Sequence, residues 1–206
     1  MTTFDREAAG RRLRLTPSQA ALLVVDVQER LVAAMPHEVM NGVIKNIRTL
    51  IHTAEQLKIP VFASEQYPKG LGSTVRGVQE ALERVEKTGQ PVLRWEKVEF
   101  SAVVNEAFTK LEIPRVSGRP AYEQWIVCGI EAHVCIYQTV RDITGWGATV
   151  HVVGDATASR KKSNWRTGLE LVRDAGALVT STETCVFDLL GKAGTPAFKT
   201  LSQAIK

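Results

Sequence analysis

Ala21-Leu22-Leu23-Val24-Val25 is an unbroken apolar run, the pattern of a strand buried on both faces. A helix is predicted from about Glu38 to Leu57, with Val39, Val43, Ile44, Ile47, Leu50, Ile51 and Ala54 at helical spacing. Lys58-Ile59-Pro60 ends it, and Val61-Phe62-Ala63 reads as strand two. The Gly/Pro-rich stretch Tyr67 to Gly72 reads as a loop. A short helix near Val75 to Val85 leads to strand three, Val92 to Trp95. Ser101 is placed to cap a helix running to about Leu111.

Strand four is Trp125 to Cys128, breaking at Gly129. A helix follows from about His133 to Thr144, closed by Gly145 and Gly147. Thr149 to Val153 is strand five, and a helix from about Ser163 to Asp174 stops at Gly176. Ala177 to Thr180 is strand six, and a last helix covers about Glu183 to Leu190. Residues 1–19 read as a polar arm, and residues 20–206 as a single domain.

Strands alternating with helices require crossover connections. The fold expected is α/β: a three-layer α/β/α sandwich around a doubly wound, six-stranded parallel sheet of order 3-2-1-4-5-6. Ligands bind such sheets outside the carboxyl ends of the strands, where the connection reverses between strands one and four.

Three reactive groups converge on that crevice. Asp26 directly follows strand one, Lys97 follows strand three, and Cys135 follows strand four in the first turn of a helix. A carboxylate against an apolar strand is costly unless paired or useful. A thiol at a helix start, near an ammonium, is expected to have a lowered pKa and to act as a nucleophile. The plain alternatives are a packed core cysteine, a turn aspartate and a solvated loop lysine. Cys128 and Cys185 read as structural. His133 lies two residues before Cys135, and such positions on a helix point apart, so it too reads as structural.

Composition changes this picture little. The chain is 44% hydrophobic and 23% charged, with no apolar stretch of membrane-spanning length. Net charge is +4, with small basic groups at Arg11-Arg12-Leu13-Arg14 and Arg160-Lys161-Lys162 that read as solvated surface. Three cysteines without CxxC spacing argue against a disulfide framework and for a reducing compartment. A cytoplasmic location is expected. A mitochondrial presequence is the alternative, weakened by Asp5 and Glu7. The four histidines are dispersed, and Ser64-Glu65-Gln66-Tyr67-Pro68 contains none, so no metal site is predicted. No GxGxxG or phosphate-loop pattern occurs, so no cofactor is expected.

The residues carry a family pattern. Val24-Val25-Asp26-Val27-Gln28, Lys97 followed by Phe100-Ser101, Cys128-Gly129-Ile130-Glu131-Ala132-His133-Val134-Cys135 and Val153-Gly154-Asp155-Ala156 resemble the isochorismatase-like cysteine hydrolases. The resemblance spans about residues 20 to 190. Ser64 to Gly72 and the Cys-Gly-Ile-Glu-Ala run are similar to the isochorismatase-domain-containing branch of unassigned substrate. It implies a catalytic triad of Asp26, Lys97 and Cys135, a cis peptide at Ile130–Glu131, and an oxyanion hole from the backbone N–H groups of Glu131 and Cys135. It also implies a small-molecule substrate, an amide or related acyl compound, and a homo-oligomer. The chain lacks the Asp-x-His and further histidine that nicotinamidases carry near the second strand. Cys135 argues against vinyl-ether hydrolysis of the isochorismatase kind. Gln28, Tyr67, Trp95, Phe100 and Tyr137 are the candidates to line the pocket, or else to be core.

Two other readings stand beside the hydrolase. One is a silent member of the fold used for binding or scaffolding. The other is a basic RNA-associated protein, against which the absence of a stacking motif or dense basic stripe counts.

Overall fold

The computed structural model describes residue 10 and residues 12–205. Asp5, Glu7 and Arg11, on which the presequence and the first basic group rest, lie outside the described residues, as do residues 1–9 of the arm. Six strands form one parallel sheet: β1 Ala20–Val25, β2 Val61–Gln66, β3 Val92–Lys97, β6 Gln124–Ile130, β7 Thr149–Ala158 and β8 Leu178–Thr180. Their order is β3-β2-β1-β6-β7-β8, the doubly wound order expected. Two short strands missing from the sequence reading, β4 Arg115–Val116 and β5 Arg119–Pro120, form a separate hairpin.

β1 alternates across the sheet, as its pleat requires. Ala20, Leu22 and Val24 pack under the helices His37–Leu57, Arg76–Lys87 and Thr182–Leu190. Ala21, Leu23 and Val25 pack under Tyr137–Gly145 and Lys162–Asp174. Both faces are buried along the whole strand, which is why no polar residue interrupts it.

Four expectations need correction. β2 and β3 run on through Gln66 and Lys97, so Lys97 ends its strand rather than following it. β6 does not break at Gly129: it continues to Ile130, with Gly129 at φ 118° and paired to Val25. The helix expected from Ser101 starts at Glu106, and its cap is Asn105, whose side chain accepts from the Phe108 N–H. The last helix is Pro196–Ala204, not the one ending at Leu190. In the segment before β1, Leu15 is buried, and its N–H donates to Asp188 Oδ2 at 2.6 Å.

Candidate active site

Asp26 leaves β1 in the left-handed region, at φ 51°, which aspartate tolerates better than most residues with a Cβ. Its side chain is fully buried and carries two partners. Lys97 Nζ donates to Oδ2 at 2.7 Å, and Ser64 Oγ donates to Oδ1 at 2.7 Å.

The lysine comes from two strands away. Parallel strands sit about 4.8 Å apart, so its four-carbon stem spans β2 to reach β1. Gln66, paired with Lys97 in register, lies on the way. Gln66 Nε2 donates to Val98 O at 2.7 Å, which turns Oε1 toward the ammonium, 2.6 Å from Nζ. Lys97 Nζ also reaches the carbonyls of Glu99 and Phe100, at 3.1 and 3.3 Å. The ammonium is thus surrounded by acceptors, the condition for burying one.

Gln28 does not face the crevice. Its Oε1 accepts from Gln66 N–H at 2.7 Å, and its Nε2 donates to Gln66 O at 3.0 Å and Gly72 O at 2.7 Å. It fixes Gln66, which in turn fixes Lys97. Ser64 and Gln66 went unnoticed in the sequence because the stretch after Ala63 read as loop. The signal was there: polar residues directly after an apolar run, at the strand end where Asp26 stands in β1.

Cys135 sits in a wide π-helical turn, Ala132–Ile136; the α-helix expected from His133 begins only at Tyr137. Glu131 O accepts from both Val134 N–H and Ile136 N–H, at 3.1 and 3.2 Å, and that five-residue step widens the turn. Helix Lys162–Asp174 packs against it at Gly168, where a Cβ would stand 2.6 Å from the Ala132 carbonyl carbon. The peptide between Ile130 and Glu131 is cis. Among the described residues, no backbone acceptor outside the turn engages the Cys135 N–H.

The thiol is 6% exposed, and the Asp26 carboxylate, the Lys97 ammonium and the Glu131 N–H all act on it. Its pKa is not lowered, as the sequence led one to expect, but pushed up to about 12. Burial is the largest cause, and the Asp26 carboxylate adds to it; Lys97 and the Glu131 N–H oppose both and lose. The helix-start argument failed chiefly because the thiol is buried, and the Asp26 carboxylate adds to that. At rest Cys135 is a neutral thiol beside a carboxylate.

Burial also raises Cys128 and, to about 12, Cys185. A buried thiol with a raised pKa leaves stability untouched while it is protonated in both states. Above its ordinary value near 9 the unfolded chain releases the proton first, and stability falls until the folded value is reached. Each thiol contributes about 1.4 kcal/mol per pH unit in that window. Urea midpoints measured from about pH 8 to about pH 11 should therefore drop steeply. Cys185→Ala should flatten the slope, and an unchanged slope would refute the account.

The remaining candidates divide. Trp95 is core, packed between Phe62 and Phe108, with Nε1 donating to Ala102 O at 3.0 Å. Tyr67 and Phe100 are more than half exposed near the ammonium, and Tyr67 lines a cleft of about 320 Å³ with Pro68, Lys97, Val98, Glu99 and Asn105. Tyr137 is half-buried beneath the Arg141 guanidinium. His133 is held by Ser159 Oγ at 3.0 Å and Asn164 Nδ2 at 3.2 Å. Among the described residues no three His, Cys, Asp or Glu side chains group as metal ligands would.

Residues 20–184 match the model of the isochorismatase domain. The chain is similar to the secreted isochorismatase effector Isc1 of Phytophthora sojae, 37% identical over 97% of this chain and 90% of that one. It is 35% identical to isochorismatase domain-containing protein 1 of Danio rerio, over 93% of this chain but 62% of that protein's length. A structure described as MAR1 ribonuclease from Caenorhabditis elegans superposes with a TM-score of 0.79 at 33% identity, covering 93% of this chain and 92% of the other.

Proposed function

The chain belongs to the isochorismatase-like hydrolase family, and from that premise we propose a cysteine hydrolase that cleaves a small amide or related acyl substrate through Asp26, Lys97 and Cys135. The observation that carries this reading is the fully buried Asp26 carboxylate, bonded to Lys97 and Ser64 and near enough to the Cys135 thiol to raise its pKa.

A base beside the thiol needs no standing thiolate. As sulfur attacks the carbonyl carbon, its proton passes to Asp26. The carbonyl oxygen gains negative charge and rests on the backbone N–H groups of Glu131 and Cys135. Asp26 then gives the proton to the leaving nitrogen, and the C–N bond breaks to leave a thioester on Cys135. Water loses a proton to the same carboxylate as it attacks, and the thiol takes that proton back. Lys97 holds the Asp26 carboxylate in place and offsets charge throughout.

Intact-protein mass spectrometry with a panel of small amides tests the scheme. The wild-type chain should accumulate an acyl adduct that maps to Cys135, and Cys135→Ala should carry none. An adduct persisting in the alanine variant would end the proposal.

The ribonuclease description of the nematode protein supports a second reading, with the net charge of +4 in its favour. Against it, the reactive thiol is nearly closed to a polymer, and His133 is engaged by Ser159 and Asn164. Cleavage of a labelled RNA that survives Cys135→Ala would favour a nuclease seated elsewhere on the surface. A silent scaffold remains the reading if no adduct forms with any amide.

The three unpaired thiols support a reducing, cytoplasmic setting. Among the described residues no helix is long and apolar enough to cross a membrane. The homo-oligomer is supported by exposed Tyr67, Val98, Phe100 and Val104 beside the site. Sedimentation velocity showing a monomer would remove it.

A further inference from the structure

An ammonium has three N–H donors, and Lys97 Nζ has four acceptors within reach. Asp26 Oδ2 at 2.7 Å and Gln66 Oε1 at 2.6 Å take one N–H each, and the carbonyls of Glu99 and Phe100, at 3.1 and 3.3 Å, share the third. No N–H is left over for a substrate atom. What the ammonium does for Cys135 therefore depends on where these partners hold it.

Two of the four partners are carbonyls of the loop after β3, close in sequence to the lysine itself. The shortest contact comes from another strand. Gln66 lies on β2, which runs between β3 and β1, and is paired with Lys97 in register. It is buried, and its amide cannot turn over. Nε2 donates to Val98 O at 2.7 Å, and a half-turn would set donor against donor at Lys97 and acceptor against acceptor at Val98. The backbone is fixed as firmly. Gln28 Oε1 accepts from the Gln66 N–H at 2.7 Å, and Gln28 Nε2 donates to the Gln66 carbonyl at 3.0 Å. Every polar atom of residue 66 is tied.

The acceptor is also neutral. Glutamate has nearly the same shape and would bind an ammonium more tightly. It would also divide one cation between two carboxylates. The crevice would then carry an added negative charge near a sulfur that itself becomes anionic as its proton leaves. The amide keeps the pairing of Lys97 with Asp26 one to one.

We propose that Gln66 is a positioning residue: its neutral amide oxygen holds the Lys97 ammonium against Asp26, where the cation offsets charge developing on the Cys135 sulfur. The proposal rests on the cysteine-hydrolase reading and adds to it the residue that aims the lysine.

Alkylation of Cys135 by iodoacetamide tests this without an amide substrate. Sulfur displaces iodide, and the thiol proton passes to base. Rates are read by peptide mass spectrometry. Cys128 and Cys185, both 0% exposed, must stay unlabelled in each variant, which shows that the fold is intact. Gln66→Met removes the acceptor and adds no charge. Alkylation should slow by about tenfold or more, because a displaced ammonium no longer opposes the carboxylate at the thiol. Gln66→Glu restores an acceptor of the same length and adds one charge. If a strong acceptor were all that mattered, this variant would match the wild type. It should instead react about tenfold more slowly, the scale of one like charge added near a thiol. Lys97→Met should slow alkylation as well, and Gln66→Met added to it should do nothing further, since a residue that acts through the ammonium is silent once the ammonium is gone. A packing defect would slow both backgrounds alike.

Either Gln66 variant reacting at the wild-type rate overturns the proposal, and so does a Gln66→Met effect of equal size with and without Lys97. If Lys97→Met exposes Cys128 or Cys185, the two Gln66 variants against the wild type decide alone. If the rates come out as expected and yet no amide acylates Cys135, the hydrolase reading fails while the positioning role of Gln66 stands.

Discussion

Asp26→Asn should make Cys135 more reactive toward iodoacetamide and at the same time abolish turnover. The two effects pull apart because the carboxylate has two consequences for the thiol. As a neighbouring anion it helps hold the thiol pKa up near 12, against the pull of Lys97. In the proposed scheme it is also the base that takes the proton when a carbonyl is attacked. Asparagine removes both.

With the anion gone, the buried Lys97 ammonium loses the partner at 2.7 Å and the sulfur becomes its counter-ion. An opposite charge at such range moves a pKa by about 1–3 units, so the thiolate fraction at neutral pH rises at least about tenfold, and the alkylation rate with it. Turnover falls by about 10²–10⁴, the usual share of a positioned acid–base group, because nothing remains to protonate the leaving nitrogen. Asparagine suits the test because it occupies the left-handed backbone of position 26 as readily as aspartate. Alkylation that is unchanged or slower in the variant would show that Asp26 does not set the acidity of the thiol.

Gly129→Ala should be the most destabilising small change near the site. A Cβ there would stand 2.1 Å from the Val25 carbonyl oxygen and 2.7 Å from the Val25 nitrogen, at a φ of 118°. Backbone on a neighbouring strand cannot swing aside as a side chain can, so β1 and β6 must part where Asp26 and the turn bearing Cys135 begin. Combined left-handed strain and overpacking come to about 4 kcal/mol or more. In a chain of this length that lowers Tm by about 8–16 °C. Gly118→Ala separates the two contributions: its φ is 78°, but nothing lies within 4 Å of the added carbon. Calorimetry should find Gly118→Ala much the milder of the two. Equal losses would mean that strain alone, and not the closeness of the strands, makes glycine necessary at 129.

Much of this molecule was legible in its sequence. The runs Ala21 to Val25 and Thr149 to Val153 announce buried parallel strands because a strand covered on both faces has no polar side to interrupt it. The alternation of such runs with amphipathic helices fixes the sheet order, and the order brings positions 26, 97 and 135 to one edge. What stayed hidden depends on contacts between distant residues. Ser64 and Gln66 look like loop residues until Asp26 and Lys97 stand beside them. Gly129 looks like a strand break because a local reading sees missing propensity, not the carbonyl of β1 pressed against it. The acidity of Cys135 was misjudged for the same reason. Proximity to an ammonium was visible, but the burial of the thiol and the carboxylate beside it were facts of three dimensions. The hairpin Arg115–Val116 and Arg119–Pro120 is too short to leave a periodic signal.

The crossover between the two halves of the sheet has a consequence for the order in which the protein is made. β1, β2 and β3 are neighbours in sequence and in space, so the base and the ammonium, 71 residues apart, can meet once the first hundred residues have emerged from the ribosome. They meet as a neutral pair, with Ser64 and Gln66 already at hand. The thiol arrives with β6, which slots against the other edge of β1, Cys128 beside Val24, only after the hairpin and its flanking loops have been synthesised. A nascent chain therefore assembles the Asp26–Lys97 pair first and gains Cys135 last, so that a truncated product ending before residue 135 holds the ion pair without the thiol.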